Sequence, residues 1–146
     1  MARIGVLALF ATGALLMGAD MQSRILALSP QNREAQELGP LSAYIEGQGE
    51  NGVIWLKLRD GQVLKGRFEL KVGGSFGALG KARGLDRPGG AYTSDGDPIT
   101  HGHPAFIDMQ GDNGATVHCE VMHDREIHHG SGVCLFSNGA EYRVLY

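Results

Sequence analysis

The chain has 146 residues, which is enough for one domain that buries most of its apolar surface without help from metals. It contains 23 glycines and only 7% aromatic residues, a composition that disfavours long helices and favours short strands joined by tight turns. The formal net charge is −3, and the distribution of the charges is more informative than their sum.

The N-terminus has the pattern of an export signal. Arg3 precedes an uncharged stretch from Ile4 to Ala19, and the polar sequence DMQSR follows. This stretch is shorter than the roughly 20 apolar residues of a membrane span, so we predict a signal peptide over residues 1–19. Met17 lies where a small residue is preferred before the cleavage site, and an uncleaved anchor through residues 4–19 stays open. Export predicts a periplasmic or secreted protein, or one anchored at the inner membrane.

Residues 20–40 are predicted to form a short helix or linker. Ser29 suits the N-cap, Pro30 suits the first helical position, and Gly39 followed by Pro40 suits the helix end. Such a helix would lean on the main domain or link it to an anchor.

The β domain is predicted to span residues 41–146, and its first clear hairpin follows residue 52. Apolar residues occupy alternate positions there, as expected of a half-buried hairpin; they are Ile54, Leu56, Leu58, Leu64, Phe68, Leu70 and Val72. A two-residue Asp60-Gly61 turn would pair Leu56 with Lys65. A three-residue loop pairs Leu56 with Leu64, so we predict a type I turn with a bulge and a left-handed Gly61.

The same alternation of apolar and polar positions places both cysteines in the core. A loop of Ser137, Asn138 and Gly139 pairs Cys134 with Tyr142 on the apolar face. In the preceding strand, Cys119 shares its face with apolar neighbours while His118 points away. Two cysteines in a small exported chain usually pair, so we predict a Cys119–Cys134 disulfide that contributes about 3 kcal/mol. The fold class is mainly β, an antiparallel β-sandwich or small barrel with one short N-terminal helix after the export signal.

A glycine-rich stretch separates the two hairpins. It could be a long functional loop, or it could hold short strands at SFGAL and AYT. Its GGSFG sequence, residues 73–77, matches the G-x-S-x-G nucleophile motif only formally, because the chain is far too short for an α/β hydrolase. We assign no catalytic residue and expect no enzymatic activity.

Basic residues are concentrated in one part of the chain. Residues 57–87 carry eight Lys or Arg against three acids, whereas residues 88–146 carry two against eight. This asymmetry favours a protein partner or an anionic envelope component, although an ordinary solvated strand face has the same pattern. Nucleic acid is not expected, because Trp55 and Phe68 are predicted on opposite faces and form no stacking platform. The candidate partner-binding residues are Lys57, Arg59, Lys65, Arg67 and Lys71.

All six histidines lie between residues 101 and 129. If they converge from a loop and a strand end, they suit zinc or copper, and no other cofactor is expected. The alternative is a scatter of surface and turn histidines, because no pair has the H-x-x-x-H spacing of a helical metal motif. The candidate metal ligands are His101, His103, His123, His128 and His129.

The C-terminal half resembles a pattern found in small exported bacterial proteins of uncharacterised function. The pattern is G-D-x-G, a cysteine, G-x-G-x-C, and G-x-x-Y near the chain end, and LRDGQVLKGRF is similar to the strand pair before it. The matching residues are Gly111, Asp112, Gly114, Cys119, Gly130, Gly132, Cys134, Gly139 and Tyr142. The resemblance covers residues 53–146 and implies a secreted or periplasmic β domain with paired cysteines, without implying an activity.

The sequence therefore predicts a noncatalytic exported envelope module that binds a partner or supports an assembly. A histidine-based zinc or copper protein is one alternative. A membrane-anchored accessory subunit of a larger complex is another, and it applies if the N-terminal segment is retained.

Overall fold

A computed structural model describes residues 24–47 and 51–146; the predicted export segment lies outside these ranges. The described chain forms eight strands and two short helices. The strands are β1 Arg24–Pro30, β2 Leu41–Glu46, β3 Asn51–Lys57, β4 Val63–Leu70, β5 Gly102–Gly111, β6 Thr116–Asp124, β7 His129–Phe136 and β8 Glu141–Leu145. The helices are α1 Arg33–Leu38, between β1 and β2, and α2 Ala78–Ala82, between β4 and β5.

The strands form a closed antiparallel barrel in sequence order. Each strand pairs with the next, and β1 pairs with β8 through contacts that include Leu28 opposite Val144. The mainly β prediction is confirmed, and of its two alternatives the structure is the small barrel.

Both predicted hairpin registers are confirmed. Leu56 pairs with Leu64, and Gly61 has a φ of 91°. Cys134 pairs with Tyr142, and Gly139 also has a φ of 91°. Each glycine therefore takes the left-handed conformation that a three-residue loop with a bulge requires.

The interior is filled by the inward-pointing side chains of all eight strands, with Leu26, Leu56, Ile107 and Val144 among the most buried. This alternation is what the period of two in the sequence predicts. Val72 is an exception and its prediction was wrong, because it is 50% exposed. Strand β4 ends at Leu70, and the chain turns away at Gly73, which has a φ of 70°.

The predicted start of the N-terminal helix was wrong. Residues 24–30 form strand β1, and the helix begins at Arg33 with Asn32 as its N-cap. The Oδ1 atom of Asn32 accepts a hydrogen bond from the Ala35 N–H at 3.0 Å. Strand pairing on both sides of β1 outweighs the local capping preference of Ser29. The predicted helix end was correct, since Gly39 is the C-cap with a φ of 78°.

Helix α1 packs against the adjoining strands of the barrel through Ala35, which is fully buried in the main core. The buried Tyr142 hydroxyl reaches this helix from the barrel interior. It donates to the Gly39 carbonyl at 2.8 Å, with the Ala35 carbonyl at 3.1 Å also in range. The guanidinium of Arg59 lies against Gly39, where a β-carbon would be 2.5 Å from it. These contacts fix α1 onto the barrel.

Helix α2 and the chain around it cover the outer surface of β6 and β7. Phe76, Leu85 and Val133 form a second apolar cluster there, with Leu79 and Met122 packed against it. Of the two readings of the glycine-rich stretch, a strand at SFGAL is not formed, because its last two residues begin α2. Tyr92 of AYT forms an isolated bridge with Pro98. One side of the barrel is therefore covered, whereas the strands on the other side are exposed.

Cys119 and Cys134 form the predicted disulfide inside the barrel. They are direct cross-strand partners in β6 and β7, each is 1% exposed, and they are bonded. A buried disulfide of this kind is compatible with an oxidising compartment.

We expect the Cys119–Cys134 bond to contribute about 2–4 kcal/mol to the free energy of unfolding, because it constrains the unfolded chain. Urea unfolding of the oxidised protein and of the same protein with the bond reduced measures this directly. The C119A/C134A variant is the second comparison, and it adds the loss of sulfur packing. Equal unfolding midpoints for the oxidised and reduced proteins would contradict the prediction.

Candidate binding surface

The outer sides of β1 to β4 form one continuous surface. Successive cross-strand partners run across it from Ile25 to Tyr44, from Tyr44 to Trp55 and from Trp55 to Lys65. Directly paired residues of an antiparallel sheet share a face, and the inward neighbours of these residues lie in the core. We call this surface the β1–β4 face. Its apolar, aromatic and basic residues are Ile25, Tyr44, Val53, Trp55, Lys57, Val63, Lys65 and Arg67, and its acidic residues are Glu46, opposite Val53, and Glu69, which follows Arg67 on the outward side of β4.

An aromatic pair lies at the centre of the β1–β4 face. The rings of Tyr44 and Trp55 are stacked, with centroids 4.5 Å apart and an interplanar angle of 23°. Such pairs contribute about 0.5–1.5 kcal/mol beyond the area they bury. Each ring covers one face of the other, so the stack is a preformed and rigid part of the surface.

Exposed aliphatic side chains surround this pair. Ile25 is 60% exposed, Val53 54% and Val63 37%. They are three of the six large apolar residues that are exposed in the described residues. Their concentration on one side of a barrel is typical of an interaction surface, whereas single exposed apolar residues are common everywhere.

Three of the predicted basic residues belong to the same surface. Lys57, Lys65 and Arg67 are the cross-strand partners of Val63, Trp55 and Val53. Within residues 24–47 and 51–146 none of the three forms an ion pair. The β1–β4 face therefore combines apolar and aromatic side chains with positive charges that no acid neutralises by direct contact.

The other two predicted basic residues are placed elsewhere. Arg59 lies over Gly39 beside α1. Lys71 follows the end of β4, and its Nζ is 2.7 Å from Glu69 Oε1. Three of the five predicted basic residues therefore belong to the β1–β4 face. Tyr44 lies at the centre of this face, and the sequence reasoning missed it. Alternation in LSAYIE indicates that Tyr44 points outward, but its partner depends on the register across the following loop.

The predicted metal ligands do not form one site. No group of three or more His, Cys, Asp or Glu side chains in the described residues is placed to hold a metal ion. His101 and His103 lie beside Arg125 and Glu126 at an open depression, whereas His123 is buried. His129 Nδ1 lies 3.0 Å from the backbone oxygen of Tyr146, and His128 Nδ1 lies 3.4 Å from Arg24. Pairing of β5 with β6 places His103 directly opposite His123. In the described residues these two histidines do not combine with a third ligand into a metal-binding group.

His123 is a core residue at the end of the barrel near the chain terminus. Its Nδ1 is 2.7 Å from the Tyr146 hydroxyl, and its ring packs edge-on against Phe68. Burial, with smaller effects from the charges of Arg24 and His128, lowers the pKa of His123 to about 4. The imidazole is therefore neutral at pH 7. Burial raises the pKa of the Tyr146 hydroxyl, so in both groups burial favours the uncharged form.

His118 lies on the barrel exterior between two carboxylates. Its Nδ1 is 2.7 Å from Asp108 Oδ1 and its Nε2 is 3.1 Å from Glu120 Oε2. Partial burial lowers the pKa of His118, but hydrogen bonds to Asp108 and Glu120 raise it more, so the net pKa is above the ordinary value. Both ring nitrogens are engaged, which leaves neither free to act as a base toward a substrate.

Glu120 is an outward-pointing residue that is nevertheless 1% exposed. The segment around α2 covers it, and the backbone N–H of Gly77 donates to its Oε1. Glu120 thus joins the α2 segment to the barrel wall and connects it with His118. No pattern in the sequence indicates this burial, because the covering segment comes from residues more than forty positions away.

Comparison with known proteins found no matching protein-family model, no matching curated protein and no matching solved structure. Within residues 24–47 and 51–146, no helix is long and apolar enough to span a membrane. The fold and its surfaces therefore define the class of protein, which is a closed eight-stranded antiparallel barrel with an internal disulfide.

The E120Q and D108N substitutions should each lower the pKa of His118, because each removes a negative charge that stabilises the imidazolium. Histidine NMR titration measures this directly, and E126Q, at an exposed turn residue, is the matched control. The stability that His118 provides should be present below pH 6.5 and lost as the pH rises through its raised pKa. A wild-type His118 that titrates below 6.5 would contradict the arrangement.

His123 should make the fold less stable in acid. Its pKa of about 4 lies below the 6.5 of an unperturbed histidine. Between pH 4 and pH 6.5 the His123 imidazole is therefore mostly protonated in the unfolded chain and mostly neutral in the folded one. The free energy of unfolding should fall by up to about 3 kcal/mol from pH 6.5 to pH 4 on this account. Comparing the wild type with H123Q isolates the effect, since the variant lacks the titrating group. The exposed-site control H101Q should keep the wild-type dependence, and equal pH dependence in the wild type and H123Q would refute the assignment.

Proposed function

We propose that this protein is a noncatalytic exported module, periplasmic or secreted, that binds an anionic component of the envelope through the β1–β4 face. The observation that carries the proposal is the combination on that face of exposed apolar residues, a stacked aromatic pair and three positive charges without ion-pair partners. The chain as a whole is negatively charged, whereas on this face Lys57, Lys65 and Arg67 outnumber the acids Glu46 and Glu69. This local excess of positive charge directs an anionic partner to one side of the barrel.

Export is part of the proposal and is supported by two observations. The N-terminal sequence has a basic residue followed by an uncharged stretch, and the two cysteines of the chain form a buried disulfide. An oxidising compartment preserves such a bond. A noncatalytic role is supported by His118, whose two ring nitrogens are both held by carboxylates.

The proposal predicts that an anionic probe binds the β1–β4 face and that binding weakens when its charges are removed. Trp55 lies on this face and is the one tryptophan of the chain, so its fluorescence reports binding. The three probes are polyglutamate, polygalacturonate and vesicles that contain anionic phospholipid. We expect at least one to bind, and we expect K65Q/R67Q to weaken that binding at least about tenfold, given roughly 1 kcal/mol per charge.

The matched control is K81Q/R87Q, which removes two exposed basic side chains from the opposite, covered side of the barrel. It should change binding less than about twofold, because the charges removed are distant from the face. Absence of binding by all three probes in low salt would contradict the proposal. Equal losses in the two double variants would contradict the assignment to this face.

A further inference from the structure

The shape and chemistry of the β1–β4 face distinguish among anionic partners. Its apolar side chains lie on the outer wall of a closed barrel, so the surface curves outward. Tight protein interfaces concentrate their energy in large side chains that fill pockets on the partner. Short aliphatic residues such as Ile25, Val53 and Val63 suit a soft apolar medium better than they suit the pockets of a protein partner.

The aromatic pair argues against a sugar or base as the stacked partner. Sugars and bases stack on free ring faces, and here Tyr44 and Trp55 cover one face of each other at a centroid distance of 4.5 Å. Tyr and Trp side chains with apolar bodies and polar tips are instead the residues enriched where a protein meets the membrane–water interface. Basic residues beside them are attracted to anionic headgroups.

The short separation along the sequence between the uncharged N-terminal stretch and β1 is an independent argument. The uncharged stretch Ile4 to Ala19 precedes β1, and only residues 20–23 separate it from Arg24. The five residue-to-residue steps from Ala19 to Arg24 reach at most about 18 Å when fully extended. If the stretch is retained as an anchor, the start of β1 lies within that distance of the bilayer. Ile25, the first outward residue after this point, belongs to the β1–β4 face.

On these grounds we infer that the partner of the β1–β4 face is the surface of an anionic lipid bilayer. This inference rests on the proposed function and names its partner. Lys57, Lys65 and Arg67 contact anionic headgroups, while Ile25, Tyr44, Val53, Trp55 and Val63 enter the interfacial region. The covered side of the barrel, with α2 and its surrounding chain, faces away from the membrane.

The test uses the full chain reconstituted with vesicles and reads Trp55 directly. Vesicles of phosphatidylcholine alone are compared with vesicles that also contain phosphatidylglycerol, each with lipids brominated near the headgroup as quenchers. We expect Trp55 emission to shift to shorter wavelength and to be quenched in the anionic vesicles only. High salt should reverse both effects, because it screens the headgroup charge.

The variants identify the surface. K65Q/R67Q should lower the docking equilibrium, measured from Trp55 quenching, about 25-fold at roughly fivefold per charge. K81Q/R87Q should leave it within about twofold of the wild type. Circular dichroism confirms that both variants keep the barrel, since all four side chains are exposed.

Three results would overturn the inference: no quenching in anionic vesicles that carry the protein, equal quenching in neutral vesicles, or unchanged quenching in K65Q/R67Q. If any of these occurs while polyglutamate or polygalacturonate binds the face, the proposed function stands and the lipid partner is wrong. If no anionic probe of any kind binds, both are wrong.

Discussion

The pairing of β1 with β8 is the constraint on which the rest of the structure depends. It closes an eight-stranded meander, so each strand in the described part of the chain has two neighbours and none of these strands forms an open sheet edge. Closure also creates the interior, because each strand then contributes its inward side to one core. Leu28 is at the junction: it pairs with Leu41 on one side and with Val144 on the other. The stack of Tyr44 on Trp55 and the burial of Cys119 against Cys134 both occur on walls that this closure holds in place.

Closure also explains why the two sides of the barrel differ. A barrel wall has a single core-facing side, so outward residues are exposed unless another segment covers them. The chain between β4 and β5 provides that cover for β6 and β7, and it buries Glu120 and Val133. Comparable cover is absent from β1 to β4 in the described residues, where Ile25 and Val53 stay more than half exposed. The apolar surface there is thus a property of the fold as a whole.

Sequence reasoning succeeded where structure is determined by neighbours along the chain. Parity of apolar residues across a short loop fixed the partners of Leu56 and Cys134 and placed both cysteines inside. It failed where distant segments decide. Ser29 and Pro30 carry a local helix signal, but pairing with β8 from the far end of the chain makes them strand residues. The burial of Glu120 depends in the same way on the distant α2 segment. The stacking of Tyr44 on Trp55 depends instead on the register across the loop between β2 and β3, which the alternation of residues in either strand does not determine.

The energetics of a bilayer surface connect the N-terminal sequence with the β1–β4 face. The uncharged N-terminal stretch is shorter than the roughly 20 apolar residues of a full span, and three basic residues at about 1 kcal/mol each give only weak attachment by themselves. Stable membrane association generally needs two such contributions acting together. If the N-terminal stretch is retained, it would keep the barrel in the vicinity of the bilayer and so raise the effective concentration of the face at the surface. Docking of the β1–β4 face, as inferred above, would then fix the orientation of the barrel, with the α2 segment turned toward the aqueous side.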